Sequence, residues 1–202
     1  MAHAYAEIAF TPAVRAEQER LGSRALYTRF EGGPAVNDRI GDAEAAFIAT
    51  RESFYLGSVS ETGWPYIQHR GGPAGFLKVL GPTTLGFADF RGNRQYVTLG
   101  NLSGDDRVSL FLMDYARRGR LKIFGRARAS EEPEVLQQVA LPDYRAKVER
   151  AMLIEVEGVD WNCPQHITER FTLAEIEEVT GTLTRRVAEL EAEVTRLREA
   201  AR

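Results

Sequence analysis

From Phe54 to Trp161 the chain is a succession of short alternating or apolar runs, each cut off by a turn signal. The runs are Phe54 to Ser60, Tyr66 to Gly71, Phe76 to Leu80, Thr84 to Asp89, Val108 to Tyr115, Arg120 to Ser130 and Ala151 to Trp161. ETGWP, Gly81-Pro82 and ARRG supply turns between them. No βαβ alternation accompanies these runs, which excludes a doubly wound parallel sheet. Roughly seven short strands are best buried by closing on themselves, because closure removes exposed strand edges. The expectation is a mainly β (α+β) chain built on a barrel.

Helices are expected around this core. Thr11-Pro12 pairs a hydroxyl cap with proline at the first helical position, and Gly22 stops that helix after Leu21. Gly32-Gly33-Pro34 breaks an irregular segment, and Asp42 can cap a helix near residues 43–51. Asn93 to Gly104 reads as a helix, and Glu131 to Tyr144 as helical pieces broken by Pro133 and Pro142. After Trp161 the chain ends in a long helix. Its apolar positions Ile176, Leu183, Val187, Leu190, Val194 and Leu197, with Thr180 in the gap, form a heptad seam. Val at a with Leu or Ile at d suits a parallel two-stranded coil between chains; the alternative is an amphipathic helix packed on its own barrel. The resulting division is a helical arm (1–45), a barrel domain (46–172) and a C-terminal amphipathic helix (173–202).

A length of 202 residues, 44% of them hydrophobic and 27% charged, suits one such domain with appendages. The formal net charge of -3 argues against general nucleic-acid binding. The single cysteine, Cys163, rules out an intramolecular disulfide and fits a reducing compartment. MAHAYAEIAF has no basic start or long apolar run, and no apolar run approaches the ~18 residues of a membrane span. A soluble, cytoplasmic protein is expected.

The stretch from Tyr66 to Asn101 carries the chemistry. Gln68 and Arg70 share one face of a strand and His69 takes the other. The Gln68 amide offers donor and acceptor together, as a uracil-like edge requires. Gly71-Gly72 lets backbone approach a flat ligand. Arg70, Lys78 and Arg94 are candidate cations for a phosphate; Arg94 follows Gly92-Asn93 where a helix can begin. Asn93, Gln95, Thr98 and Asn101 cluster at that helix start, as ligand contacts or as caps. Trp161, Asn162 and Gln165 form a second polar-aromatic loop, stiffened by Pro164. Three histidines and one cysteine have no metal spacing, and no P-loop, G-x-G-x-x-G or G-x-S-x-G is present. A Cys163–His166 hydrolase pair is a weaker alternative.

The segments QHRGGPAGFLKVL, LGFADFRGNRQYVTLGNL, VSLFLMDY and RLKIFGRAR resemble the FMN-binding proteins related to pyridoxamine 5′-phosphate oxidase, over about residues 45 to 170. That resemblance implies a split β-barrel, a homodimer, and FMN in two sites at the subunit interface. Carried over by residue, it assigns ring and phosphate contacts to Gln68 through Lys78 and the basic turn to Arg91–Gln95. It also implies that the Trp161–Gln165 loop reaches across the interface. Several departures bear on the reaction. The oxidases carry Ser-Arg-Lys where this chain has Gly92-Asn93-Arg94, and an Arg-Gln pair where it has Arg120-Leu121. Their tight R-x-[VM]-L-L-K strand is reduced to the looser Arg70-to-Lys78 spacing, and their C-terminal substrate motif gives way to the heptad helix. The implied function is an FMN-dependent oxidoreductase acting on a small-molecule substrate or electron donor. The alternatives are a non-catalytic flavin-binding or sensing module, and a deazaflavin-dependent reductase.

Overall fold

The computed structural model of the protein describes residues 2–32, 35–161 and 164–200. Gly33, Pro34, Asn162 and Cys163, each part of a sequence motif above, lie outside the described residues. The chain divides into two compact units: Met1–Asp114 with Gly119–Pro164, and Tyr115–Arg118 with Gln165–Arg202.

The first unit opens with an arm: β1 (Ala2–His3), α1 (Ala4–Ala9), α2 (Pro12–Arg20), α3 (Arg24–Tyr27), a single 3-10 turn (Thr28–Phe30) and β2 (Ala35–Val36), which pairs parallel with β1. α2 starts where Thr11 and Pro12 predict, with Thr11 Oγ1 accepting from the Val14 N–H at 3.4 Å. α4 (Asp42–Ala49) is capped by Gly41 rather than Asp42: Glu44 Oε2 reaches back to accept the Gly41 N–H at 3.0 Å. Asp42 becomes the first helical residue, where its charge still favours the helix N-terminus. α1 has no sequence signal of its own. It forms because Gly158 lets it lie close against the barrel: a Cβ there would sit 2.7 Å from the Tyr5 backbone nitrogen. The Tyr5 ring stacks on Phe124 at 4.5 Å.

Seven strands follow: β3 (Ser53–Val59), β4 (Pro65–Gly71), β5 (Lys78–Val79), β6 (Thr84–Phe90), β7 (Arg107–Asp114), β8 (Gly119–Ser130) and β9 (Val148–Trp161). They form one sheet of order β4-β3-β7-β8-β9-β6-β5, antiparallel throughout. Alternate side chains point inward, so Phe54, Leu56, Leu110, Leu112, Leu121 and Ile123 are all buried. β6 is buried on both faces, because α6 (Pro133–Gln138) and the residues after it cover Ala88 with Val139. α5 (Val97–Leu102) is shorter than the expected helix and begins four residues later than Asn93.

The ladder ends at β4 on one side and β5 on the other, and these two strands do not pair. The barrel is therefore split, and the full closure suggested by the strand count stops there. β4 contributes no buried residue, since each of its side chains is exposed or half-buried. Two bulges lie on β9. Between Asp89 and Phe90 of β6 its extra residue is Glu149, and between Phe124 and Gly125 of β8 it is Glu157.

The second unit holds α7 (Leu173–Ala200). Thr172 and Glu175 form a reciprocal cap at its start: the Thr172 N–H donates to Glu175 Oε2 at 2.8 Å, and the Glu175 N–H to Thr172 Oγ1 at 3.2 Å. Ile176, Leu183, Val187, Leu190, Val194 and Leu197 are exposed along it.

The close approach at Gly158 makes a prediction. Gly158→Val puts a branched side chain into the Tyr5 backbone, so it should destabilise the chain by about 1–3 kcal/mol. Amide hydrogen exchange should rise in α1 before it rises in β7 or β8.

Candidate functional site

A cleft of about 220 Å³ opens where β4 faces β6 and the turn before α5. The period of two on β4 aims Tyr66, Gln68 and Arg70 into it. The turn contributes Asn93, Arg94 and Gln95. Two non-glycine residues in left-handed conformation, Arg94 (φ 62) and Tyr96 (φ 54), give that turn its shape. Its fold is held by the Gln95 N–H donating to Asn93 Oδ1 at 3.2 Å. Thr98, buried on α5, donates its hydroxyl to Gln68 Oε1 at 2.8 Å. That bond fixes the Gln68 amide and leaves its NH₂ group without a protein partner among the described residues.

Charge in the cleft is organised around Asp89. Its carboxylate accepts from Arg70 Nη1 at 2.7 Å and from Arg150 Nη1 at 3.0 Å. Arg70 belongs to an edge strand and Asp89 to β6, so the first pair crosses the split in the barrel. The second carboxylate is Glu149, turned out of register by its bulge. It accepts from Arg91 Nε at 2.7 Å, and Tyr96 Oη lies at 3.4 Å. The Arg91 guanidinium, helped by the Tyr96 hydroxyl and by Arg150, holds the Glu149 carboxyl below its usual range. A carboxylate depressed on folding stabilises the chain above its unfolded pKa, and that contribution fades as pH falls through the lowered value. No carboxylate lies within ion-pairing distance of Arg94 among the described residues. Arg70 and Arg94 line the cleft with Asp89 and Glu149, while Arg91 and Arg150 pair with those carboxylates from outside its lining, Arg150 also lying 4.0 Å from Glu131; four guanidinium groups thus stand against three carboxylates, an excess of one positive charge. Arg70 Nε is buried and has no hydrogen-bond partner among the described residues.

Of the residues singled out from the sequence, the cleft gathers Gln68, Arg70, Asn93, Arg94, Gln95 and Thr98. The others sit elsewhere. Lys78 donates its ammonium to the Ala140 carbonyl at 2.8 Å, away from the cleft, so the three expected cations do not converge. Asn101 is buried and donates to Ser58 Oγ at 2.9 Å, a brace between α5 and β3. His69 lies edge-on to Tyr55 on the opposite face of β4. Gly71 and Gly72 serve packing: a Cβ on Gly72 would strike the Phe76 ring at 2.7 Å, and one on Gly71 would come within 3.1 Å of His69. Trp161 donates its indole N–H to Glu44 Oε1 at 2.6 Å, with its ring edge-on to Phe47. It stands at the far end of β9 from Glu149, with the bulge at Glu157 between them. Gln165 is exposed and belongs to the second unit. Sequence reading misses Tyr66, Asp89 and Glu149. Tyr66 shares the parity of Gln68 and Arg70, a signal that could have found it. Glu149 has no such signal, because the bulge that turns it inward leaves no mark in the sequence.

A sequence model of pyridoxamine 5′-phosphate oxidase matches residues 40–179, well over half of the chain. The protein belongs to the pyridoxamine 5′-phosphate oxidase family. No curated protein matches the chain in sequence. Among solved structures it is similar to an FMN-binding protein from Syntrophomonas wolfei (13% identity, 75% of this chain and 95% of that one, TM-score 0.48). It is also similar to a Clostridium acetobutylicum protein related to general stress protein 26 (13%, 65% and 92%, 0.44). A third is HutZ, the heme storage protein of Vibrio cholerae (16%, 60% and 94%, 0.41). These likenesses are distant. Among the described residues no group of histidine, cysteine and carboxylate side chains is arranged to hold a metal, and no helix is long and apolar enough to cross a membrane.

For this family member the cross-split ion pair predicts a large effect from a small change. Asp89→Asn leaves Arg70 and Arg150 facing each other without their shared carboxylate. Denaturant unfolding should show a loss of about 3–5 kcal/mol. Arg91→Gln, at a pair whose arginine is half-exposed and whose carboxylate keeps Arg150 and Tyr96 nearby, should cost less, about 1 kcal/mol.

Proposed function

We propose that this protein is an FMN-binding flavoprotein of the family, a cytoplasmic homodimer acting as an oxidoreductase on a small molecule. The observation that carries the reading is Arg94, a guanidinium in the cleft with no carboxylate in ion-pairing distance among the described residues, beside the fixed Gln68 amide. A flavin phosphate is a dianion, and its ring edge presents carbonyl oxygens that an amide NH₂ can meet. Arg94, with no carboxylate partner, is the cation best able to turn to the phosphate. Arg70, locked to Asp89, positions β4 against β6. When bound, the isoalloxazine supplies reversible electron uptake; the chain supplies orientation, hydrogen bonds and charge.

The cleft is smaller than the ~300–1,000 Å³ usual for a small-molecule site, which supports completion by a second copy. Trp161 stands at the other end of β9 from this cleft, which supports a role for it at the other copy's site. α7 is proposed as part of the dimer. In a parallel, in-register coil, Arg186 of one copy faces Glu191 of the other, and Glu193 faces Arg198. Each pair is made twice and no like charges meet.

FMN should bind near one per chain and much more tightly than riboflavin. Arg94→Ala should weaken FMN by about 1.5–3 kcal/mol and leave riboflavin almost unaffected, as fluorescence titration would show. Lys78→Ala should leave both affinities near wild type. Equal affinity for FMN and riboflavin would remove the phosphate assignment.

Leu190→Glu places a charge at a d position and should raise the dimer dissociation constant by tenfold or more, roughly 1.4 kcal/mol, by light scattering. Arg186→Glu should weaken the dimer more mildly, and adding Glu191→Arg should restore it. A Leu190→Glu chain with an unchanged dimer would rule out the coil.

A further inference from the structure

A cavity of about 560 Å³ lies between the N-terminal arm and the ends of β8 and β9. Its walls are aromatic: Phe10, Tyr27 and Phe30 from the arm, Trp161 from β9, and Tyr5 from α1. The arm's rings brace one another at angles, Phe10 on Tyr27 at 5.3 Å and 73°, Phe30 against His3 at 5.5 Å and 79°. They are therefore held in place without filling the space between them. Tyr27 and Trp161 remain 37% and 40% exposed. A seam that only docked an arm on a barrel would close to interior density, and this one does not.

The polar groups of the cavity converge at one end. Lys122 Nζ lies 2.7 Å from Asp160 Oδ2 and 4.6 Å from the centre of the Tyr5 ring. Burial raises the Tyr5 phenol pKa, so the hydroxyl stays protonated and neutral. His3 Nε2 meets Asn37 Nδ2 at 2.8 Å. The same nitrogen lies 3.9 Å from Asp160 Oδ1, so His3 belongs to the surroundings of that carboxylate. Arg29, whose guanidinium stacks 4.8 Å over Phe30, adds a second cation at the rim. Two permanent cations, Lys122 and Arg29, therefore line the cavity with one carboxylate, Asp160. The balance favours a ligand bearing oxygen acceptors and negative charge, and the walls favour a flat ring.

We propose that this cavity binds a planar aromatic carboxylate, its ring between Tyr27, Phe30 and Trp161 and its carboxylate toward Lys122 and Arg29. The size is that of an ordinary small-molecule site, mostly apolar with a few placed polar groups. It lies at the opposite end of β9 from the Gln68 cleft, and the proposal does not depend on flavin binding there.

The test uses the full chain with Trp64→Phe, which leaves Trp161 as the only indole. The probes are 4-nitrobenzoate and its neutral isostere 4-nitrobenzamide, both quenchers of indole fluorescence. Saturable quenching is expected at one site per chain, with the carboxylate bound about tenfold more tightly than the amide. Arg29→Gln and Lys122→Met should each erode that preference, and Tyr27→Ala should weaken both probes alike. Lys122→Met also removes the partner of Asp160, so its thermal unfolding is followed in parallel. The rim variant Arg29→Gln breaks no ion pair among the described residues and decides the point if Lys122→Met fails to fold. Calorimetry with saturating FMN should return the same 4-nitrobenzoate affinity. Absence of saturable quenching, equal affinity for the two probes, or displacement of the carboxylate by FMN would each overturn the proposal.

Discussion

One carboxylate holds the candidate site together. Asp89 takes Arg70 from the edge strand β4 and Arg150 from β9, so a side-chain contact spans the place where backbone pairing stops. A hydrogen-bonded ladder fixes the distance between neighbouring strands at about 4.8 Å. Across the split there is no ladder, and the ion pair sets the spacing instead. Such a pair can stand further apart than paired strands, and a cleft exists because of it. The same pair orients β4 so that Gln68 comes within reach of Thr98. Geometry, charge and amide orientation in the cleft all depend on this bridge.

The two bulges on β9 extend the same logic. Each places one more residue on β9 than on its neighbour, and in both cases the extra residue is a glutamate. Glu149 meets Arg91 and Tyr96 beside the cleft, and Glu157 meets Arg126 at 2.7 Å on the other side of the strand. A residue without a place in the ladder is free to be charged, and an arginine on an adjoining strand or loop compensates it. The long strand thereby links the Gln68 cleft at one end to the aromatic cavity at the other, while its centre remains ordinary apolar core.

Much of this architecture is legible in the amino-acid sequence. Alternation locates the strands, Thr11-Pro12 locates α2, and parity places Gln68 and Arg70 on one face. What resists reading shares a physical cause: it depends on contacts between residues distant in sequence. Lys78 looks like a phosphate ligand, but its position is set by a carbonyl 62 residues away. Asn101 looks like a cap or a contact and is a brace to Ser58, 43 residues earlier. α1 has no local signal and packs against Gly158, which no pattern near residue 4 reveals. Turn composition identifies Gly92–Gln95 as a site element, while its left-handed residues, Arg94 and Tyr96, carry side chains that give no warning of that conformation.

A split barrel also has two free edges, each a template onto which a foreign strand can add. This chain treats the two differently. β5 is only two residues long, too short to seed a growing sheet. β4 is seven residues long, but it opens with Pro65, which has no N–H to donate, and carries His69 and Arg70 further on. The polarity that suits β4 to a ligand is thus also a defence against aggregation. Apolar replacements along it, made to tighten a pocket, would trade solubility for affinity.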